Sequence, residues 1–210
     1  MSVKLAVARE RRPFIAIPAV LAAGLLLGGR RALALPFAAA ALASLGFFRD
    51  PDRDVPSVPG GVLSPADGRV LSVDELDDPF VGPAVRVAIF LSPLDVHVNR
   101  SPIAGLVVGT VYSRGRFIAA YRAAAEGANE RCSLHLQGET ARVTVVQIAG
   151  VLARRIVCRV GPGDKLAAGE RFGMIRFGSR TDCVMPRGSD VRVRVGDRVT
   201  GGVTVLGVLA

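Results

Sequence analysis

An all-β domain, assembled from one unit used twice and preceded by an apolar helical hairpin, is the fold this 210-residue sequence predicts. Three observations carry that reading. Beyond Gly61, short Val/Ile/Leu runs are punctuated by Gly, Pro and Asp at fairly regular spacing, the texture of strands joined by turns. Two sequence elements each occur twice within that region. The apolar excess of the chain, half of whose residues are hydrophobic, is concentrated ahead of Arg49.

The front comes first. Pro13 to Gly29 and Ala32 to Phe48 are uncharged apolar stretches split by Arg30-Arg31. Each is at the short limit of what crosses a bilayer, for which about 20 residues is typical. A second apolar run follows the first at once, and no small-x-small site precedes a polar start, so a cleaved signal peptide fits poorly. Arginine at every boundary fits a membrane-associated hairpin over residues 1–49 better than a buried core hairpin. The same arginines give no clear sidedness. If both stretches cross, Arg30-Arg31 occupies a very tight turn on the far side; a hairpin lying in one leaflet avoids this. The net charge of +9 is mostly here, with seven Lys/Arg against Glu10 before residue 50. Basic residues flanking apolar segments attract anionic headgroups. No basic run interleaved with aromatics follows, as a reader of single strands needs. The charge points to a membrane and away from nucleic acid.

Arg49 to Gly61 is a Pro-, Gly- and charge-rich connector that opens the second domain, residues 50–210. Within that domain only Phe117 to Glu126, rich in alanine, is expected to be helical, with Gly127 as its stop. Cys132, Cys158 and Cys183 are widely spaced, with no C-x-x-C pair and no metal-ligand spacing. They read as core residues in a reducing compartment, which puts the domain on the cytoplasmic side of the cell membrane and calls for no metal.

The repeated elements are Ser64-Pro-Ala-Asp-Gly-Arg-Val70 with Ser101-Pro-Ile-Ala-Gly-Leu-Val107, and Gly163-Asp-Lys-Leu-Ala-Ala-Gly169 with Gly196-Asp-Arg-Val-Thr-Gly-Gly202. A strand entry followed by such a hairpin resembles biotinyl/lipoyl-like domains, so the fold expected is a duplicated barrel-sandwich hybrid. Its open strand edges are compatible with a homodimer. A biotin or lipoate carrier is the non-enzymatic alternative. It needs a lysine at a hairpin tip, and neither Lys4 nor Lys165 has that setting.

Chemistry concentrates at Gly178-Ser179. A β-prone run from Phe172 leads into a glycine followed by a serine, with about thirty residues after it. A serine hydroxyl can attack the carbonyl before it, and a glycine there leaves the approach open. Elimination from the ester turns Ser179 into dehydroalanine and then into a pyruvoyl group, an electrophilic carbonyl made from the chain itself. Taken alone, Gly-Ser is also an ordinary turn, as at Gly188-Ser189. His97 ends an apolar strand and is bracketed by Asp95, Asn99 and Arg100. On an extended chain Asp95 and His97 share one face. His135 sits in strand-like alternation and reads as structural. Asp67, in an Asp-Gly turn, completes a nucleophile, base and orienting carboxylate with Ser179 and His97 if the three converge.

Ser64-Pro-Ala-Asp-Gly68, Leu91-Ser-Pro-Leu-Asp-Val-His97, Asn129-Glu-Arg131 and Phe177-Gly-Ser179 resemble, in order and spacing, the motifs of phosphatidylserine decarboxylase proenzymes of the short bacterial and archaeal type. The resemblance covers roughly residues 50–210. It implies self-cleavage at Gly178-Ser179 into a large chain, 1–178, and a small chain, 179–210. It implies His97 as the base that takes the Ser179 proton, Asp67 as its orienting carboxylate, and Asn129 and Glu130 near the substrate. Longer relatives carry a second histidine where this chain has Arg100, so His97 is left to serve both cleavage and turnover. Decarboxylation of an amino acid leaves a carbanion at Cα, which an imine with the pyruvoyl carbonyl delocalises. A histidine, titrating near neutral pH, suits the return of a proton. Aspartate, histidine and S-adenosylmethionine are the soluble alternatives to a phospholipid substrate, and they give no reason for residues 13–48 to be apolar.

Overall fold

The computed structural model of the chain describes residues 3–122, 125–151, 155–176 and 179–210. It divides into two compact units, Met1–Pro51 and Asp52–Ala210. The first unit holds helices α1 (Val3–Leu27) and α2 (Arg31–Phe47). Its exposure pattern inverts that of a water-soluble hairpin. The small Ala22, Ala34 and Ala41 are buried, while Val20, Leu27, Leu35 and Leu42 are 68–90% exposed. Small residues at contacts and large aliphatics outside are what helices use when their solvent is lipid. Among the described residues, no helix is long and apolar enough to cross a membrane.

The second unit is β-sheet. Its main sheet is built from β2 (Gly68–Asp78), β3 (Gly82–Leu91), β5 (Gly105–Ser113), β6 (Arg131–Gln137), β7 (Arg142–Ile148) and β11 (Ser179–Pro186), with β9 (Lys165–Leu166) and β13 (Arg198–Val199) at the edges. All neighbours are antiparallel, in the order β13–β2–β3–β11–β7–β6–β5–β9. One small sheet joins β1 (Gly61–Leu63), β14 (Val205–Val208) and β12 (Asp190–Val191). The other joins β4 (Val98–Arg100), β10 (Arg171–Ile175) and β8 (Ile156–Cys158). Alternation assigns the faces: Cys132, Leu134 and Leu136 of β6 point into the core and their neighbours are half-buried. Ile89, Leu136, Val143, Val145, Phe172, Met185 and Leu206 are fully buried in that core, each stabilising the fold by about 1.5–3 kcal/mol relative to exposure.

The repeats of the sequence are repeats of structure. Gly68 pairs with Val199 and Arg69 with Arg198; likewise Gly105 pairs with Leu166 and Leu106 with Lys165. Both strands then bulge at the same place, after Val70 and after Val107. Ser64 Oγ donates to the Ala66 carbonyl at 2.7 Å and Ser101 Oγ to that of Ile103 at 2.8 Å. The paired hairpins open on Gly163 (φ +94°) and Gly196 (φ +96°), and close on Gly169 (φ +72°) and Gly202 (φ +74°). Those backbone conformations explain why both copies begin and end on glycine.

The small sheets match as well. Gly61–Val208, Val62–Gly207 and Leu63–Val205 correspond to Val98–Met174, Asn99–Gly173 and Arg100–Arg171, each with one bulge. Leu63 N–H donates to the Pro102 carbonyl (2.8 Å) and Arg100 N–H to that of Pro65 (2.9 Å), two bonds that the same operation exchanges. The operation is a pseudo-twofold rotation about the β7–β11 pair, where Val145 faces Cys183.

One expected element is corrected. Of the alanine-rich stretch 117–126, residues 117–122 are not helical, residues 123–124 lie outside the described residues, and the described helix is α3 (Ala125–Ala128). Asn129 Oδ1 accepts the Ile118 N–H at 2.9 Å and Asn129 Nδ2 donates to the Ile118 carbonyl at 2.7 Å. The second bond takes the carbonyl that a helix would offer to residue 122, and propensity yields to it.

Candidate active site

β10 lies in a small sheet and β11 in the main one, so the chain changes sheets between Ile175 and Ser179. Gly178, the expected acyl side of the cut, lies outside the described residues; Ser179 is described. It is the first residue of β11, opposite Leu91 at the end of β3. It is fully buried, and its Oγ has no hydrogen-bond partner among the described residues. Four residues earlier, the Ile175 N–H donates to the His97 carbonyl at 3.2 Å. The 92–96 loop thus leaves opposite Ser179 and returns opposite Ile175, straddling the link.

His97 is 1% exposed, and its Nδ1 lies 2.9 Å from the Asp95 carbonyl oxygen. A carbonyl only accepts, so Nδ1 carries the proton and Nε2 holds the basic lone pair of the neutral ring. Asp95 does this through its backbone. The segment is a turn, so the shared face expected of an extended chain is not formed: the Asp95 carboxylate caps the turn by accepting the Ser92 N–H at 2.8 Å. Asp67 is not the partner of Nδ1 here. Its Oδ2 pairs with Arg53 at 2.8 Å and its Oδ1 accepts the Gly201 N–H at 2.8 Å. Its loop nonetheless abuts β4, through the bond from Arg100 N–H to Pro65.

The remaining expected residues divide. Asn129 is buried and spends its amide on Ile118 and on the Ala149 carbonyl, 2.7 Å away, pinning two loops at the Ser179 end of the sheet. Glu130 accepts the Tyr112 hydroxyl. Desolvation and that bond push the Tyr112 phenol up to about 12. Arg100, at the position where longer relatives carry a second histidine, donates to the Gly169 carbonyl at 3.1 Å. His135 lies on the outer face of β6, with Nδ1 3.1 Å from Thr144 Oγ1 and its ring 4.9 Å from that of Phe80. A cavity of about 680 Å³ adjoins it, lined by Ile148, Asp182 and Val184 among others. Those residues sit on the sheet face opposite Ser179 and Thr181, so this cavity is not the space beside Ser179.

Sequence reasoning missed a buried polar cluster. Asn99 is fully buried, and its Nδ2 donates to Thr181 Oγ1 (3.1 Å) and to the Pro65 carbonyl (3.4 Å). Its Oδ1 accepts from Gln147 Nε2 at 2.8 Å. Gln147 Oε1 is a second buried atom without a hydrogen-bond partner among the described residues. One signal was available: Asn99 stands two residues before a repeated Ser-Pro, where the other copy has Val62.

Comparison with known proteins gives a consistent result. The phosphatidylserine decarboxylase family model matches residues 41–207. The phosphatidylserine decarboxylase proenzyme of Aromatoleum aromaticum is 45% identical over 206 residues, covering 96% of this chain and 95% of that protein. That of Symbiobacterium thermophilum is 49% identical over 206 residues, covering 97% and 95%. That of Nitrosomonas europaea is 46% identical over 202 residues, covering 95% and 94%. With four motifs in order, a serine opening a buried strand and a match over most of its length, the chain belongs to the phosphatidylserine decarboxylase family.

Proposed function

We propose that this protein cuts itself between Gly178 and Ser179 and then decarboxylates phosphatidylserine to phosphatidylethanolamine. The observation that carries the reading is Ser179: buried, its Oγ without a partner among the described residues, at a sheet crossing straddled by the His97 loop. Leaving a buried hydroxyl unsatisfied costs about 1–3 kcal/mol; Ser189 Oγ, in the Gly188-Ser189 turn, shares that feature, and it is the sheet crossing and the His97 loop that set Ser179 apart. Ser179 Oγ attacks the Gly178 carbonyl and its proton passes to His97 Nε2. The Ser179 nitrogen is expelled as an ester forms. Loss of the Ser179 Cα proton and of the Gly178 carboxylate then breaks the chain, and water releases ammonia to leave a pyruvoyl group on the small chain. Joined to the substrate amine, such a group would supply the electron sink for the pair left when carbon dioxide departs. His97 Nε2 holds the proton for return to the substrate Cα. Asp67, its carboxylate fixed by Arg53 and the Gly201 amide, is a positioning residue that acts through its loop, which bonds to β4 just after His97.

The duplicated architecture is read as a barrel-sandwich hybrid. It explains how a cut chain stays together, because β11, β13 and β14 of the small chain pair with β3, β7, β2 and β1 of the large one. A lipid substrate fits two surfaces. The hairpin unit exposes its leucines, and the loops leaving β3, β5 and β7 at the Ser179 end expose Leu94, Phe117, Tyr121 and Val151. Arg114, Arg116 and Arg122 are exposed beside them, and aromatic and basic residues together suit an anionic membrane interface. Intact mass tests the reading. Wild-type protein should give chains 1–178 and 179–210, the second beginning with pyruvoyl. Ser179→Ala should give one uncut inactive chain, and a break after Gly178 in that variant would overturn the scheme.

A further inference from the structure

The pseudo-twofold axis gives every residue of the site a counterpart in the other half, which serves as an internal control. Matching registers assign them. The Leu209 N–H donates to the Gly60 carbonyl as Ile175 does to that of His97, so Gly60 answers His97. β1 and β4 then pair Val62 with Asn99, and the Ser-Pro repeats pair Ala104 with Asp67. Within the main sheet, Phe90 faces Arg180 and Ile89 faces Thr181, as Gln137 faces Arg142 and Leu136 faces Val143. Stepping along these strands matches Ser179 with Ala141, Thr181 with Val143 and Gln147 with Met185. The counterpart of every polar side chain in the site is apolar or glycine. The same backbone frame closes around Val62, Val143 and Met185, all fully buried.

The frame therefore has no need of the amide cluster. Burying Asn99, Gln147 and Thr181 costs desolvation that the other half avoids, and one oxygen is left unsatisfied. What the cluster adds is a fixed relation between two strands that share no sheet. Asn99 lies in β4, two residues after His97, which precedes the strand, and Thr181 is two residues after Ser179 on β11. The 3.1 Å bond from Asn99 to Thr181 thus ties the two strands together two residues beyond His97 and Ser179. Gln147, directly opposite Thr181, holds the Asn99 amide in the orientation that donates to it.

We infer that Asn99, oriented by Gln147 and bonded to Thr181, is the positioning residue that sets His97 against Ser179. The inference rests on the self-cleavage reading above. It is tested by writing the other half into this one: Asn99→Val, Thr181→Val and Gln147→Met together, in the full chain. Replacing bonded polar partners by apolar groups of similar shape is close to neutral for stability, so the melting temperature should hold. Self-cleavage, followed by intact mass, should slow by about a hundredfold, the scale set by a misplacement of roughly 1 Å. The pH profile of the residual cleavage should shift, since His97 has lost its register. Thr181→Ser, which keeps the hydroxyl, should cleave close to the wild-type rate while Thr181→Val is slow. If the triple variant fails to fold, the Thr181→Ser and Thr181→Val pair decides alone. A triple variant or Thr181→Val that cleaves at the wild-type rate with an unchanged pH profile overturns the inference. An uncut wild-type chain would instead remove the self-cleavage reading, which the same mass measurement reveals.

Discussion

The Ser179 site and its pseudo-twofold counterpart at Ala141 stand on one set of backbone bonds and differ in chemistry. Where the site has Asp67, His97, Asn99 and Ser179, the counterpart has Ala104, Gly60, Val62 and Ala141. The counterpart keeps a recess of about 250 Å³, lined by Gly60, Ala104, Gly138, Ala141 and Leu209 among others. Glu139 and Thr140 also line it, but the positions that answer Asp67, His97, Asn99 and Ser179 carry no polar side chain. The lesson is a separation of causes. What both halves share is required by the fold; what only one half has needs another explanation.

The largest effect expected from this comparison falls on His97. His97→Ala should slow self-cleavage by about 10²–10⁴-fold, the usual worth of a general base. His135→Ala, on the outer face of the sheet, should cut normally. Equal cleavage in wild type and His97→Ala would return His97 to the structural residues. Asp67 comes next. Because the other half holds the same turn with Ala104, Asp67→Ala should leave the melting temperature nearly unchanged while cleavage slows by about tenfold, less than the hundredfold that a misplacement of roughly 1 Å costs. A large drop in melting temperature with normal cleavage would make Asp67 a structural anchor for Arg53 and Gly201.

The repeats were legible because turn chemistry is local: each hairpin needs glycine at fixed positions, and each Ser-Pro entry caps itself within three residues. Gly-Ser, His97 and Asp67 were legible as parts. Their arrangement was not, since His97 meets Ile175 and Ser179 meets Leu91 only through sheet pairing. Asn99 was missed because its partners lie far along the chain, at Gln147 and Thr181, and no local pattern announces a buried amide. The helix expected over 117–126 failed for the same reason, overruled by Asn129 from beyond its end.

The two ends of the main sheet also separate the two halves in space, and a bilayer should tell them apart. The chain has no tryptophan, so a single one reports its own position. With Tyr121→Trp or Leu94→Trp at the Ser179 end, vesicles carrying brominated acyl chains should quench the fluorescence and shift it to the blue. With Thr140→Trp, exposed in the β6–β7 turn at the Ala141 end, quenching should be slight. Equal quenching at the two ends would overturn the assignment of the Ser179 end as the membrane-facing one.

The smallest effect concerns a pair of thiols, and it probes whether every difference between the halves is functional. Cys132 of β6 and Cys158 of β8 are free thiols, at positions matched in the other half by Val85 and Val191. The neighbouring Cys132 brings the Cys158 thiol down to about 7, and Cys158 together with burial pushes Cys132 well above the usual thiol range. The Cys183 thiol is also driven up, by full burial first and by the charge of Asp182 second. A thiol with a lowered value is thiolate above it and reactive there. Alkylation by iodoacetamide should therefore favour Cys158, with a rate that rises through pH 7, while Cys132 and Cys183 stay protected in the folded protein. Because the other half packs valines at the same place, Cys132→Val with Cys158→Val should fold, cut and turn over substrate at close to wild-type rates. A loss of cleavage in that double variant would add the thiol pair to the machinery on the Ser179 side. Normal cleavage would mark it as a difference the fold tolerates, unlike the amide cluster beside the same strands.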